Sequence, residues 1–329
     1  MPDYSVVRWG ILGPGSIANR FAEGAHALPD ARLIAVGSRD RSRADAFADK
    51  YGIPNRHGSY ESLVQDPDVD VIYVATPHNF HHEHSLLALN AGKPILCEKP
   101  FTINEGEARD VMELARAKRL FAMEAMWTRF FPAMYRVREL LSQGAIGNPK
   151  IVYADFGFRG KFDPKGRLFN PDLSGGALLD VGVYTVSFAS MVLGEPARIA
   201  GLAALGETGV DEQAGMVFGY ANGAQAVLST SIRANTPHSA AIVGEEGTIT
   251  IHPSWWKPDR LTVSSSDQAD EEVHLPYEST GFNYEAAEVA RCLRAGKLES
   301  DIMPLNESLA IMRTMDTLRS QWGLRYPME

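Results

Sequence analysis

The sequence predicts an α/β chain with a doubly wound parallel sheet at its N-terminus. An α+β domain with a large, mostly antiparallel, open-faced sheet follows it. Three observations carry this. A glycine-rich turn, Gly13-Pro14-Gly15-Ser16-Ile17-Ala18, follows an apolar run near the start of the chain. Strand-like and helix-like runs then alternate as far as Glu124. Beyond Lys150, short strand-like runs joined by hairpin signals take over. At 329 residues the chain exceeds what one hydrophobic core usually supports. The change of rhythm places the domain boundary between 124 and 125.

Val6, Val7, Trp9, Ile11 and Leu12 form the run expected of a strand buried on both faces of a parallel sheet. Gly13 permits the tight turn, Gly15 leaves no side chain between backbone and ligand, and Ala18 lets the next helix pack close. Ser16 and Ile17 open that helix, whose unpaired N–H groups and dipole favour an anion such as a dinucleotide pyrophosphate. The second strand, Leu33 to Val36, ends at Gly37-Ser38-Arg39, where an NAD site usually offers an acid to the ribose. No acid stands there. Arg39 and Arg43 suit the 2′-phosphate of NADP, and Ser38 adds a hydroxyl, so the pattern favours NADP while leaving NAD open. The competing reading makes both arginines solvated charges paired with Asp40 or Asp45.

Asp40 to Lys50 reads as a helix stopped by Gly52, and Ser59 to Gln65 as a short one. Val69 to Ala75 is an apolar strand, and Asn79 to Ala91 a helix ended by Gly92. Pro94 to Cys97 is the next strand. Asn104 with Glu107 resembles a capping pair opening the helix that ends near Lys118, and Leu120 to Met123 is a further strand. This βαβ rhythm is that of a Rossmann domain, 1–124. In 125–329, strand-like runs occur at 151–154, 216–220, 224–231, 240–243 and 248–251. Ala221-Asn222-Gly223 and Gly244-Glu245-Glu246-Gly247 are hairpin signals. A sheet with one uncovered face implies a homo-oligomer, a dimer or tetramer, through that face. Ser264 to Asp270 reads as a polar loop.

Formal charge is −9, from 32 basic and 41 acidic residues, which argues against nucleic acid and anionic membrane as partners. No apolar run is read as a membrane span and no leader pattern at the N-terminus, so a cytoplasmic location is expected. Cys97 and Cys292 give neither a disulfide framework nor zinc spacing. His78, His81, His82 and His84 form a dense group, but their spacing fits no metal motif and no metal is expected.

Gly13-x-Gly15, Ala75-Thr76-Pro77, Glu98-Lys99-Pro100 and Asp180-x-Gly182-x-Tyr184 together resemble the glucose–fructose oxidoreductase/inositol dehydrogenase (Gfo/Idh/MocA) family, in order along essentially the whole chain. Glu124 to Pro132 and Gly175 to Tyr184 resemble its dihydrodiol and NADP-dependent D-xylose dehydrogenase branch. Tyr184 departs from the wider family, where many members carry histidine. The resemblance implies NAD(P)-linked oxidation or reduction of sugars, polyols or cyclic diols. It places Thr76, Pro77, His78, His81, Glu98 and Lys99 at the cofactor, with His81 a recurring helix histidine and two of the four histidines exposed. An NADPH-dependent reductase of a dicarbonyl sugar such as 1,5-anhydrofructose, or a non-catalytic dinucleotide-binding regulator, are the alternatives.

Moving a hydride off an alcohol carbon leaves a hydroxyl proton to be removed, so a base and a positive field are required. Asp180 and Tyr184 stand four apart on a helix beginning after Ser174-Gly175-Gly176, with Gly182 between them for close approach. Tyr184 is read as proton acceptor in oxidation and donor in reduction, its phenolate favoured by an adjacent ammonium. Lys99 would stabilise the alkoxide, and Asp180 would hold a substrate hydroxyl and keep Lys99 charged. Trp127, Arg129 and Phe158 are candidate walls of the substrate pocket, or else simply core.

Overall fold

The computed structural model describes residues 4–265 and 268–329. The first part of the chain runs β1 (Val7–Leu12), α1 (Ser16–His26), β2 (Ala31–Gly37), α2 (Arg41–Tyr51), β3 (Asn55–His57), α3 (Tyr60–Val64), β4 (Val71–Val74), α4 (His81–Asn90), β5 (Ile95–Glu98), α5 (Glu105–Lys118) and β6 (Ala122–Ala125). Then come α6 (Pro132–Ser142), β7 (Pro149–Gly157), α7 (Val183–Leu193), β8 (Arg198–Leu205), β9 (Asp211–Gly219), β10 (Gln225–Ser231), β11 (Ala240–Gly244) and β12 (Gly247–Ile251). The chain finishes with β13 (Arg260–Ser265), β14 (Gln268–His274), α8 (Phe282–Arg294) and α9 (Leu305–Trp322). These form two compact units, Met1–Phe130 with Glu278–Leu309, and Phe131–Tyr277 with Ala310–Glu329.

That division differs from the 124/125 boundary read from the sequence. α8 returns to pack on α1, so closely that a Cβ on Gly24 would stand 2.8 Å from the Asn283 backbone nitrogen. Strand rhythm gives no sign of such a late return.

In the first unit the six strands are all parallel, in the order β3-β2-β1-β4-β5-β6. β4 and β5 are buried at every position, as continuous apolar runs require. Strand order reverses between β1 and β4, the crevice where such sheets bind ligands, and the glycine turn lies at its mouth. The expected cap at Asn104 is present, accepting from Glu107 N–H, and Gly52 closes α2 in the left-handed region; Asp40 and Ser59, read as helix starts, also cap, accepting from Ser42 N–H and Ser62 N–H.

The second unit holds an eight-stranded sheet, β14-β13-β12-β11-β7-β10-β9-β8, antiparallel except at the central β7–β10 pair. Both hairpin signals join antiparallel neighbours, β9–β10 and β11–β12. The polar stretch 264–270 is a further hairpin and not a loop: Ser264 and Ser265 end β13 and Gln268 begins β14, with Ser266 and Asp267 outside the described residues. The polar composition of β14 is compatible with strand because β14 forms the edge of the sheet and faces water. α7 lies against β7 and β10. On the other face Tyr153, Val227 and Val217 stand side by side in register, and Leu202 is 85 % exposed. Among the described residues one helical stretch, Pro171–Leu193, is long and apolar enough to cross a membrane by composition, contrary to the reading above, and 78 % of its apolar 18-residue window is buried inside the protein. Packing between sheet and solvent-side elements on all sides is what makes a core helix this apolar.

Candidate active site

At the glycine turn the two glycines are required for different reasons. Gly13 has φ of +94°, and a Cβ there would meet Thr76 Cγ2 at 2.9 Å, so the protein itself excludes a side chain. Gly15 has φ of −90°, open to any residue, and a Cβ there would have Ala75 O, 3.9 Å away, as its nearest neighbour. Nothing in the protein needs that space. It lies before the N-terminus of α1, which no side chain caps, and Ser16 is exposed there. The cradle fits a pyrophosphate, which the N–H groups of Ser16 and Ile17 would hold, since Gly13 N–H is bonded to Gly37 O and Gly15 N–H to Gly13 O. A nicotinamide dinucleotide bound there supplies the hydride acceptor or donor.

At the end of β2, Ser38 is buried and its Oγ accepts from Asp40 N–H at 3.2 Å. Asp40 caps α2 and Asp45 pairs with Arg41 at 2.9 Å, so neither acid is committed to Arg39, whereas the charge of Arg43 acts on Asp40. Arg39 is exposed, 5.4 Å from the Phe80 ring, and lines a cleft of about 500 Å³ with Tyr60, Phe80 and His84.

Beyond β4, Thr76 and His78 are buried and Pro77 is exposed. His81 spans the gap to the lysine loop: Nδ1 lies 2.8 Å from Pro100 O and Nε2 2.9 Å from Thr76 O. Burial pulls its pKa down to about 4, so the ring is neutral and donates to one carbonyl at a time. His84 is also buried, beside Tyr60, with Nδ1 3.0 Å from Thr76 Oγ1, and burial lowers it to about 4. The expectation of two exposed histidines is therefore corrected: His78, His81 and His84 are buried and only His82 of the group is half-buried, at Asp110. An imidazole next to rings packs inward, which charge-based reasoning overlooks. Among the described residues no cluster of His, Cys, Asp and Glu is placed to hold a metal.

Lys99 follows β5 and is half-buried. Glu98, just before it, is buried, accepts a short hydrogen bond from Tyr73 Oη and accepts from Lys99 N–H at 3.2 Å. Burial pushes Glu98 up to about 7, opposed by the Tyr73 bond and the Lys99 charge. Glu285 on α8 is fully buried, and neither carboxyl oxygen has a hydrogen-bond partner among the described residues. Burial first, and the charge of Glu98 second, hold it far above the usual carboxylate range.

In the second unit Leu178–Gly182 forms a π-helical turn, closed by Val183 N–H to Leu178 O, that leads into α7. Single π turns recur at functional sites because they displace one residue from the α register. The displaced region here carries Asp180. Gly182 lets the turn lie on β10, where a Cβ would meet Thr230 Cγ2 at 3.4 Å. Asp180 and Tyr184 are both buried. Arg167 Nη1 donates to Asp180 Oδ1 at 2.7 Å, and Nη2 reaches Oδ2 at 3.4 Å. The Tyr184 ring is 5.3 Å from Phe156, which stacks on Trp256 at 3.8 Å with His238 edge-on at 5.6 Å.

Of the candidate pocket walls, Phe158 is half-buried and continues β7, its N–H bonded to Ser231 O. Trp127 stacks on Phe282 at 4.5 Å. Arg129 is buried, donating to Glu307 at 2.7 Å and reaching Ile302 O at 3.4 Å, an internal tie of the first unit. Sequence reasoning missed Arg167, Trp256, His238, Tyr73 and Glu285. Trp256 stands next to Trp255 in a Pro-bounded stretch whose role the sequence does not reveal, and the two separate on folding: Trp255 is buried, its Nε1 donating to Asp155 O.

A cradle for a dinucleotide on a Rossmann sheet, with an ordered acid–phenol turn in a second unit, defines an NAD(P)-binding oxidoreductase. Residues 7–125 match the oxidoreductase family model with an NAD-binding Rossmann fold, and 134–250 match the GFO/IDH/MocA C-terminal domain. The chain belongs to the Gfo/Idh/MocA oxidoreductase family. It is similar to trans-1,2-dihydrobenzene-1,2-diol dehydrogenase of Xenopus tropicalis, 40 % identical, with 97 % of this chain and 99 % of that one aligned. The human enzyme of that name is 36 % identical over 98 % and 99 %. Among solved structures, a 3-ketoreductase from Actinomadura kijaniata, in complex with NADP and TDP-benzene, is 27 % identical with a TM-score of 0.83, covering 96 % of this chain and 97 % of that one. Variants of one lysine and of one tyrosine of that enzyme are also solved.

Proposed function

We propose that the protein transfers hydride between NADP(H) and a CH–OH or C=O carbon of a sugar, polyol or cyclic diol. Lys99, Asp180 and Tyr184 form its reactive group in this reading. The observation that carries it is a phosphate cradle with no side chain at Gly15 in the same chain as a buried acid on a π-helical turn and a buried phenol in the first turn of the helix that follows. Tyr184 takes the hydroxyl proton in oxidation and returns it in reduction. Lys99 supplies positive charge to the developing alkoxide, and Asp180 orients a substrate hydroxyl. The aromatic group of Phe156 and Trp256, together with Phe158, offers apolar faces to the C–H surface of a ring. The remaining expected contacts at the cofactor are Thr76, Pro77, His78 and Glu98, with His81 fixing the loop that carries Lys99. Similarity to dihydrodiol dehydrogenases supports a diol or sugar alcohol as the reduced substrate. Similarity to a 3-ketoreductase favours, as a second reading, reduction of a ketosugar.

NADP is preferred over NAD in this proposal because Arg39 is exposed and the neighbouring acids are engaged elsewhere. The uncovered sheet face, with Tyr153, Val217, Val227 and Leu202, supports a homodimer or homotetramer. The cytoplasm is the proposed compartment, supported by two buried cysteines that form no disulfide. The test is an activity screen with NADP and NAD, in both directions, across pentoses, hexoses, inositols and trans-diols. Tyr184→Phe is expected to lower kcat roughly 10²–10⁴-fold, the range of general acid–base catalysis. Full turnover in Tyr184→Phe or in Lys99→Met removes the proposed chemistry.

A further inference from the structure

The loop between β7 and the π-helical turn is strongly basic, with Arg159, Lys161, Lys165 and Arg167 against Asp163 within nine residues. From this loop Arg167 turns onto the helix and grips Asp180 with both Nη atoms, at 2.7 and 3.4 Å. The pair is asymmetric: the Asp180 side chain is 8 % exposed and that of Arg167 is 49 % exposed. Burial works against the guanidinium charge, yet the charge and hydrogen bond of Asp180, and then the charge of Tyr184, raise its pKa above the ordinary value. One guanidinium therefore acts on both members of the acid–phenol turn. The neighbour on the β7 side of Tyr184 is the ring of Phe156, with Trp256 and His238 beyond it, and His238 Nε2 is spent on Gly157 O.

A phenol one turn from a buried carboxylate resists ionisation, because its phenolate would be a second negative charge in a poorly solvated place. A cation fixed between solvent and that carboxylate removes the obstacle. We propose that Arg167 is a positioning residue for proton transfer: it holds the Asp180 carboxylate in one orientation and cancels its charge, so that Tyr184 can reach the phenolate. This rests on the reading of Tyr184 as the proton acceptor. It also changes the part given to Asp180, whose counter-ion within its own unit is Arg167. Asp180 then presents a fixed hydrogen-bond acceptor to a substrate hydroxyl and is not chiefly a partner for Lys99.

A purely structural role, pinning the basic loop, would leave the acidity of Tyr184 alone. The test is therefore a titration of the Tyr184 phenol in the full chain labelled with 13Cζ-tyrosine, its resonance assigned by loss in Tyr184→Phe. In Arg167→Gln the titration is expected to move up by about 1–2 pH units, the effect of removing an opposite charge at this range. Arg167→Lys keeps the charge and is expected to recover most of that shift. The acid limb of kcat/KM for oxidation is expected to move in the same direction, with kcat affected more than KM. A Tyr184 resonance that does not move in a folded Arg167→Gln protein overturns the proposal, as does an Arg167→Lys protein that titrates like Arg167→Gln. If Arg167→Gln fails to fold, Arg167→Ala, which removes the same charge from a half-exposed position, is titrated in its place. Failure of the functional reading is separate: it is seen in the wild-type chain, as absence of turnover across the carbohydrate and diol panel.

Discussion

Replacing Gly15 and Gly13 by alanine, one at a time, separates a glycine demanded by a ligand from one demanded by the fold. At Gly15 the backbone, φ −90° and ψ −169°, accepts alanine, and its Cβ would be no nearer than 3.9 Å to Ala75 O. Alanine is a poorer N-cap than glycine by about 1 kcal/mol, and it stiffens the unfolded chain to its advantage by about 0.4–1 kcal/mol. Stability is thus expected to change by less than about 0.5 kcal/mol, or roughly 2 °C in Tm. The methyl group would occupy the phosphate's place, at the loss of one or two charge-assisted hydrogen bonds of about 1.5–3 kcal/mol each. NADPH should bind roughly 10- to 100-fold more weakly at least. Gly13→Ala reverses the pattern. A φ of +94° costs an alanine about 1–2 kcal/mol, and its Cβ at 2.9 Å from Thr76 Cγ2 adds about 1–3 kcal/mol of overpacking. Its melting point, taken without cofactor, should fall by roughly 4–15 °C. Fluorescence titration with NADPH beside a thermal melt reads both effects. An unchanged NADPH affinity in Gly15→Ala refutes the assignment of this cradle to the pyrophosphate.

Arg39→Ala should weaken NADPH binding roughly 10- to 100-fold through loss of a charged hydrogen bond, while NADH binding stays within about twofold; equal losses for both would place the arginine off the 2′-phosphate. Glu285 is raised far above 4.5, so the folded state holds a proton that the unfolded chain releases. Its contribution is fully present below pH about 4.5 and declines as pH rises toward the folded-state value. Glu285→Gln should accordingly gain stability over wild type steadily between pH 5 and 8 in urea unfolding, and a constant difference would show that Glu285 is ionised in the fold. For the proposed homo-oligomer through the open sheet face, the wild-type chain is expected to scatter light as a dimer or tetramer and Val217→Lys with Val227→Lys as a monomer, because two ammonium groups would face their symmetry mates; a monomeric wild type, or a mass unaltered by the substitutions, refutes that interface.

The first unit was legible because its signals are local. Glycines at 13 and 15, caps at Asp40, Ser59 and Asn104, and apolar runs at β1, β4 and β5 each dictate structure within a few residues. Three kinds of feature escaped. The edge strand β14 is polar on both sides for most of its length, so alternation does not announce it. α8 belongs to the first unit through contacts with α1 more than 250 residues earlier, which no local pattern encodes. At the candidate site Lys99, Asp180 and Tyr184 stand in recognisable strings, whereas Arg167 and Glu285 act through space on residues far off in sequence or in a loop without motif. The histidine group illustrates the same limit. Two of its members were expected to be exposed, but Tyr60 and Phe80 pack on the His84 ring and the carbonyls of Thr76 and Pro100 draw His81 inward.

Those long-range pairings follow one electrostatic logic. A buried ion without a partner costs several kcal/mol, so a reactive group must be compensated within the body that folds around it. Asp180 is compensated by Arg167, from its own unit. Glu98 and Lys99 sense each other at the end of β5, while burial shifts Glu285 toward its neutral form. Each unit can therefore fold with its share of the chemistry already neutralised. The consequence distinguishes two ways of losing activity. Lys99→Met leaves Glu98 with a pKa already near 7, so the carboxyl takes up a proton and the strand end survives without its cation. Arg167→Gln leaves Asp180 charged beside the Tyr184 phenol, and the damage appears as a displaced titration and not as a collapsed fold.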